Sequence, residues 1–343
     1  MTRRRSTTMT DVAKAAAVSQ STVSMVLNHV TSARLSAETR SRVLAAAQAL
    51  NYQLPQAQQK APARGPQPTT IGYLVDEIST SPHPVVSLDG ARDAAWQHGY
   101  TVQLLVTRGK PEQEAAAIAC LQAQPGLLGW IYSTVFTRQV QVPAALLELP
   151  TVLLNCQDPA QKLPSVLPGE LAGGQAATEY LLSMGHRRIG FINGEAWMMA
   201  AQQRLSGYRR ALAGAGISYE PALVKAGDWM SGSGFDGAMA LLQQAQPPSA
   251  IFCANDLMAL GALEAVKQLG LRVPEDISVM GYDDQEISRH THPPLTTMEL
   301  PNYDMGYAAV EQLLEQVASA APPRRRLIQT DCPLVQRHSV RPL

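Results

Sequence analysis

From Ile71 onward the chain alternates short apolar runs with longer stretches of helical periodicity, and few folds satisfy that alternation. The runs are IGYLV (71–75), TVQLLV (101–106), LLGWIY (127–132), TVLLN (151–155), RIGFIN (188–193), SAIFCA (249–254) and ISVMGY (277–282). Helices fit between them at 85–98, 111–123, 171–184, 202–215, 233–245 and 256–269. Four to eight apolar residues without polar alternation suit strands buried on both faces, and hence a parallel sheet with helical crossovers. Seven runs exceed one comfortable doubly wound sheet. Two such lobes with a cleft between them are the natural solution, with a ligand at the carboxyl ends of the strands.

The first fifty residues follow another rule. In TMTDVAKAAAVSQSTVSMVLN (8–28), Thr8 and Asp11 have the spacing of a capping box, and Val12, Ala13 and Ala16 share one helical face. That helix stops near Ala17-Val18. Ser19 offers a second N-cap, and Val23, Val26 and Leu27 form the next apolar face. Gln20, Ser21, Thr22, Ser24 and Met25 open the second helix, which fits a helix-turn-helix recognition element reading a major groove. An ordinary helical hairpin is the competing reading. A third helix runs from Ala37 to about Leu50, with Val43, Leu44, Ala47 and Leu50 on one face. Residues 53–70 carry Pro55, Pro62, Pro66 and Pro68 and read as a linker.

Charge separates the two parts. The chain is formally neutral, yet residues 1–54 hold seven Lys/Arg against two carboxylates, a net +5, which leaves −5 on the other 289 residues. A basic head on an acidic body fits a nucleic-acid-binding module joined to something else. Arg34, Thr39, Arg40 and Arg42 would flank phosphates, with Arg3–Arg5 as a basic arm or an idle tail. The four cysteines have no metal-ligand spacing, and no signal peptide or membrane-length apolar run occurs, so a cytoplasmic protein is expected. No nucleophile–base pair, metal motif or dinucleotide fingerprint appears, so neither an enzyme nor a cofactor is expected. His186 reads as a structural contact.

Several polar side chains sit where strands should end: Asn155, Trp197 and Met198, Asn255 and Asp256, Asp283 and Asp284, with Arg204 and Trp229 just downstream. Each has a plainer role open to it. Asp256 and Asp284 fit helix caps, Trp229 a loop anchor, and Arg204 a surface group or the partner of a buried carboxylate. Together they offer a guanidinium, carboxylates, amides and an indole, a set that suits sugar hydroxyls and does not exclude a purine.

The chain resembles the lactose/galactose repressor family over nearly its full length. The resemblance is carried by residues 8–28, SAETRSRVLAAAQALNY, YLLSMGHRRIGFING, RLSGYRRALAGAGI, GDWMSGSGF, AIFCANDLMALGALEAVKQLGLRVPEDISVMGYDD and HPPLTTMELPNYDMGYAAVEQLL. It implies an all-α helix-turn-helix headpiece (1–54), a hinge (55–69) and an α/β two-lobed, periplasmic-binding-protein-like core (70–343). Lobe 1 would span about 70–167 and 300–320, and lobe 2 about 168–299 and 321–343, each a doubly wound parallel sheet.

The resemblance further implies a DNA-binding repressor reading an inverted-repeat operator as a homodimer, with a small-molecule effector, expected to be a sugar, bound non-covalently between the lobes. A purine or nucleoside effector is the alternative, and a solute-binding protein the rival from another class. By position, the DNA-contacting set is Thr8, Ser19, Gln20, Ser21, Thr22, Ser24, Met25, Asn28, Arg34, Thr39, Tyr52 and Pro62. The effector set is Asn155, Trp197, Met198, Arg204, Trp229, Asn255, Asp283 and Asn302. Three departures stand out: Ala17 replaces a corner glycine, tolerable if it is not left-handed; Met25 stands where some members carry arginine; and Pro62 falls at the hinge leucine. No heptad tail is recognisable, so a dimer is expected.

Overall fold

The computed structural model describes residues 9–18, 20–27, 37–52, 69–319 and 326–343. The chain divides into two compact units. The first holds Met1–Val135, Val140–Val166 and Asn302–Arg326; the second holds Phe136–Gln139, Leu167–Pro301 and Leu327–Leu343.

The first unit opens with α1 (Met9–Ala16), α2 (Gln20–Leu27) and α3 (Ala37–Ala49). Val12, Ala13 and Ala16, Val23 and Val26, and Val43, Ala46 and Ala47 bury one another as a small core. Leu44 does not join it: it is 48% exposed, and Ala46 fills the inward position instead. Ala17 ends α1 with φ 52°, and the turn closes through Ala17 N–H to Lys14 O and Val18 N–H to Ala13 O. The condition for tolerating alanine there is therefore not met, because a Cβ in the left-handed region crowds the following carbonyl. The caps expected from Thr8 and Ser19, and linker residues 53–68, lie outside the described residues.

The sheet of this unit is built from β1 (Thr70–Val75), β2 (Thr101–Val106), β3 (Leu127–Gln139), β4 (Thr151–Gln157) and β5 (Ser165–Pro168), in the order β5-β4-β3-β1-β2. Helices α4 (His83–Gln97) and α5 (Pro111–Gln122) are its crossovers. Parallel registers set Ile71 against both Val102 and Gly129, and Leu153 against Ser165. β2 is half-buried, not sealed on both faces as its apolar run suggested, because it is an edge strand. The four-residue β5 was too short to show a pattern.

The second unit follows the same rule: α6 (Glu170–Ser183), β6 (Ile189–Asn193), α7 (Met199–Gly214), β7 (Val224–Ala226), α8 (Ser231–Leu242), β8 (Ala250–Cys253), α9 (Asp256–Gln268) and β9 (Ser278–Met280). Its parallel sheet is ordered β7-β6-β8-β9. Phe191 on β6 stacks against Tyr208 at 5.2 Å and Phe252 at 4.8 Å, which fixes α7 over the sheet. A short pair, β10 (Thr297–Met298) with a later strand, closes one side. The chain then returns to the first unit as α10 (Asn302–Ala318), and β11 (Leu327–Thr330) and β12 (Leu334–Val335) finish it, β12 pairing antiparallel with β10. α10 lies against α4 with almost no space: a Cβ on Gly306 would stand 1.8 Å from Ser87 O, and one on Gly90 2.0 Å from Tyr303 O. Among the described residues no helix is long and apolar enough to cross a membrane.

Replacing Ala17 with glycine should relieve the left-handed corner and stabilise the headpiece by about 1 kcal/mol. Hydrogen exchange on the full-length chain would read this as roughly fivefold greater protection of the α1–α3 amides.

Candidate functional site

The chemistry of the second unit starts from small residues. A Cβ on Gly207 would fall 2.3 Å from Leu171 O, and one on Gly174 would fall 2.6 Å from Arg204 O, so α6 and α7 touch backbone to backbone. This approach brings Glu170, at the start of α6, against Arg204 on the second turn of α7. The guanidinium donates from Nε to Glu170 Oε2 at 2.7 Å and from Nη2 to Oε1 at 2.8 Å, a bidentate fork. Nη1 donates to Ala254 O and lies 3.4 Å from Asp283 Oδ1. Arg204 is only 3% exposed, and its Cζ sits 3.7 Å from the Tyr282 ring centroid and 5.7 Å from that of Trp229. Burial works against the positive charge. The Glu170 and Asp283 carboxylates outweigh it, so the guanidinium is held above its ordinary range.

Around this centre the strand ends are tied down. Asn255, not Asp256, caps α9: its Oδ1 accepts from Met258 N–H at 2.8 Å, while its Nδ2 donates to Trp229 O at 2.9 Å. Both ends of that carboxamide therefore hold the frame. Trp229 is left-handed at φ 70°, as are Asp283 at 106° and Asn155 at 59°. Asp256 is wholly buried and accepts from Thr297 Oγ1 at 2.6 Å and Gln285 N–H at 2.7 Å. Burial, reinforced by the nearby Asp283 charge, raises its pKa well above the usual carboxylate value. Asp284 caps nothing. It binds Arg337 at 2.5 Å and Arg289 at 3.2 Å, while Gln285 precedes the short helical turn Glu286–Arg289. His186 is a structural contact, between Ser249 Oγ at 3.0 Å and Arg341 O at 3.1 Å.

Of the expected effector residues, Arg204, Trp229, Asn255 and Asp283 converge here. Met198 is buried just before α7, whereas Trp197 is 60% exposed and stands away from the packed centre. Asn155 and Asn302 belong to the first unit. Asn155 Nδ2 donates to Thr134 O at 3.0 Å, and Asn302 Nδ2 lies 3.0 Å from His83 Nδ1. Glu170 was not singled out by sequence, although a buried carboxylate partner for Arg204 was one of the readings left open. Asn193 and Tyr282, closing the runs RIGFIN and ISVMGY, were also passed over.

The expected DNA-contacting residues are only partly described. Gln20, Ser21, Ser24 and Met25 lie on α2. Thr22, also on α2, is 6% exposed and packed inward, which makes it a support of the helix more than an open reading group. Thr39 is half-buried on α3. Tyr52 is packed against the apolar cluster that holds Tyr303 of α10, as are Tyr307 of α10 and Val86 of α4, and burial, then Tyr307, Asp304 and Asp93, push its hydroxyl up to about 12. Thr8, Ser19, Asn28, Arg34 and Pro62 lie outside the described residues.

A three-helix headpiece joined to parallel α/β units with a buried guanidinium at the strand ends defines a class: DNA-binding regulators with a ligand-binding core. Comparison with known proteins is specific. Residues 8–54 match the bacterial regulatory proteins of the lacI family, and residues 178–340 match the periplasmic binding protein-like domain. The chain is 35% identical to the HTH-type transcriptional repressor PurR of Aliivibrio fischeri over 338 residues, 97% of this chain and 98% of the relative. It is 32% identical to the ribose operon repressor of Haemophilus influenzae over 94% of this chain and 95% of the relative. Among solved structures, the lac repressor dimer bound to operator and the anti-inducer ONPF superposes with TM-score 0.68 at 31% identity, covering 98% of this chain and 100% of that one. The chain belongs to the lacI family and is a DNA-binding transcriptional regulator.

Asp256 yields a pH test. Folding raises its pKa above the unfolded value of about 3.9, so the folded state holds the proton more tightly. Its contribution to stability is complete below that value and is lost as pH rises through the folded pKa. Asp256→Asn mimics the protonated acid and should flatten the decline, exceeding wild type at pH 8 by on the order of 1 kcal/mol; urea midpoints at pH 5 and pH 8 measure it.

Proposed function

We propose that this chain is a cytoplasmic, homodimeric repressor without catalytic activity, whose operator affinity is set by a sugar or sugar derivative bound at the strand ends of the second unit. The observation that carries this reading is the Arg204 guanidinium. Glu170 and Ala254 lock it, and it lies beneath Tyr282 and beside Trp229 and Asp283. A charged donor fixed in a buried site suits the oxygen atoms of a polyhydroxy ring, and an indole nearby suits the ring's C–H face. The ribose operon repressor among the relatives supports a sugar. PurR keeps a purine or nucleoside as the second reading, and a ribosyl group is common to both.

Control of DNA binding by such a ligand needs differential affinity for two states of the protein. The homodimer fits the family's operator complexes. On this chain a groove of about 680 Å³ opens between α9 and the 290–293 loop, and none of the expected effector residues lines it. Leu260, Leu271 and Pro293 are in its lining, and Leu271 is exposed. Its mixed lining, where these apolar side chains stand beside Glu264, Lys267 and Arg272, suits a second copy of the chain.

Removing Arg204 alone would strand the buried Glu170 charge and cost about 3–5 kcal/mol, which would obscure the functional effect. The double change Arg204→Met with Glu170→Met removes both charges. We expect it to fold and bind operator while losing at least 100-fold in effector affinity, as read by thermal shift over a panel of sugars and nucleosides; an unchanged ligand-induced shift sinks the site assignment. Leu260→Glu should yield a monomer in sedimentation and lose tight binding to a palindromic site while still binding DNA weakly. Wild-type self-association in that variant refutes the assigned dimer face.

A further inference from the structure

Most polar groups at the strand ends of the second unit are already engaged. Arg204 is held by Glu170, Ala254 and Asp283, Asn255 by Met258 and Trp229, and Asp256 by Thr297 and Gln285. Three buried atoms there are not: Asn193 Oδ1, Trp229 Nε1 and the Tyr282 hydroxyl have no hydrogen-bond partner, and the last faces α6, where a Cβ on Gly173 would fall 2.0 Å from it. Asn193 ends β6 and is 6% exposed. A buried carbonyl oxygen and a buried N–H left unpaired are each destabilising, so a fold retains them where something else completes them.

The first two belong to one place. The register pairs Ile192 with Cys253, so Asn193 comes level with Ala254, whose carbonyl receives Arg204 Nη1. The Trp229 indole lies over Gly194, the residue after Asn193. A Cβ on Gly194 would fall 2.0 Å from Cζ2 and 2.3 Å from Cε2, the carbon bonded to Nε1. The absence of a side chain at Gly194 is what admits the indole. Trp229 is fixed there by its left-handed backbone and by the Asn255 bond to its carbonyl.

We propose that Asn193 Oδ1 and Trp229 Nε1 form an acceptor–donor pair that takes one ring hydroxyl of the effector and thereby selects a hydroxylated sugar or ribosyl ring over a bare nucleobase. A hydroxyl is the simplest group that completes both atoms, accepting from the indole N–H and donating to the amide oxygen. The proposal rests on the effector site read above at Arg204. It goes further by naming the groups that choose the ligand class. A site built to hold a hydroxyl rejects the analogue that lacks it, because its own polar groups are then left unpaired.

The test uses the full-length chain with D-ribose, D-galactose, cellobiose, adenosine and hypoxanthine as probes. At least one of the four hydroxylated probes should raise the thermal midpoint; a rise from hypoxanthine alone, or none from those four, overturns the proposal. For the best probe, Asn193→Leu and Trp229→Phe should each weaken binding by about 10- to 100-fold in titration calorimetry. The double variant should be little worse than either single one, because one hydroxyl serves both groups. Without ligand, Asn193→Leu should leave the midpoint unchanged or raise it, since it deletes an unpaired acceptor. A fall of several degrees would mark Asn193 as structural and overturn the pair, as would unaltered affinity in both single variants. The Arg204→Met, Glu170→Met chain separates the two levels. If it loses the probe while Asn193→Leu and Trp229→Phe keep it, only the pair is wrong; if it too binds as wild type, the underlying site is wrong.

Discussion

A buried guanidinium sets the terms for the second unit. An arginine removed from water is costly unless every face of it is answered, and Arg204 is answered by a carboxylate fork, a backbone carbonyl, a second carboxylate and an aromatic ring. None of those partners is local in sequence. They come from α6, β8 and the segment after β9, so the ion pair exists only when helices and sheet are all in place. The glycines of α6 and α7 are part of the same requirement, because the fork closes only if the two helices touch. Retaining a fixed charge beside unpaired polar atoms is the observation on which the proposed effector site rests.

The fold was legible because burial on both faces leaves a plain record. Seven apolar runs became seven strands, six within a few residues of where they were expected and β3 running seven residues further, to Gln139, and the helices between them followed. What the pattern could not carry were elements too short to have a period, such as β5 and β7, and choices decided by neighbours far along the chain. Leu44 shows this well. Helical spacing put it on the apolar face, yet three short helices have room for alanine at the inward position and leave leucine outside. Asn255 and Asp256 show it again. Either side chain can cap a helix, and the choice fell to Asn255 because Asp256 is drawn into Thr297 and the backbone of Gln285.

The site was half legible for a related reason. Residue types with an obvious use for ligand chemistry, such as Arg204, Trp229 and Asp283, stand out at strand ends. Glu170 did not, because a glutamate beginning a helix has an ordinary explanation as first-turn charge. Asn193 did not, because an asparagine ending a strand reads as punctuation. Their meaning depends on partners: the glutamate has the guanidinium, while the asparagine's Oδ1 has none. Hydrogen-bond accounting in three dimensions finds both, and composition finds neither.

The route from site to headpiece is short in covalent terms. Asp283, which faces Arg204, donates its N–H to Met298 O at 2.7 Å and accepts from Leu300 N–H at 3.2 Å. Two residues later the chain enters α10 at Asn302, and Tyr303 is buried in the same apolar cluster as the headpiece valines, with Tyr52 and Tyr307 packed alongside. Backbone hydrogen bonds and close glycine contacts allow little slack along this path, since Gly306 and Gly90 leave no room for α10 to slide over α4 without clash. For an effector to act through this connection it would have to bind two states of the protein with different affinity, because equal affinity would move nothing however tight the binding.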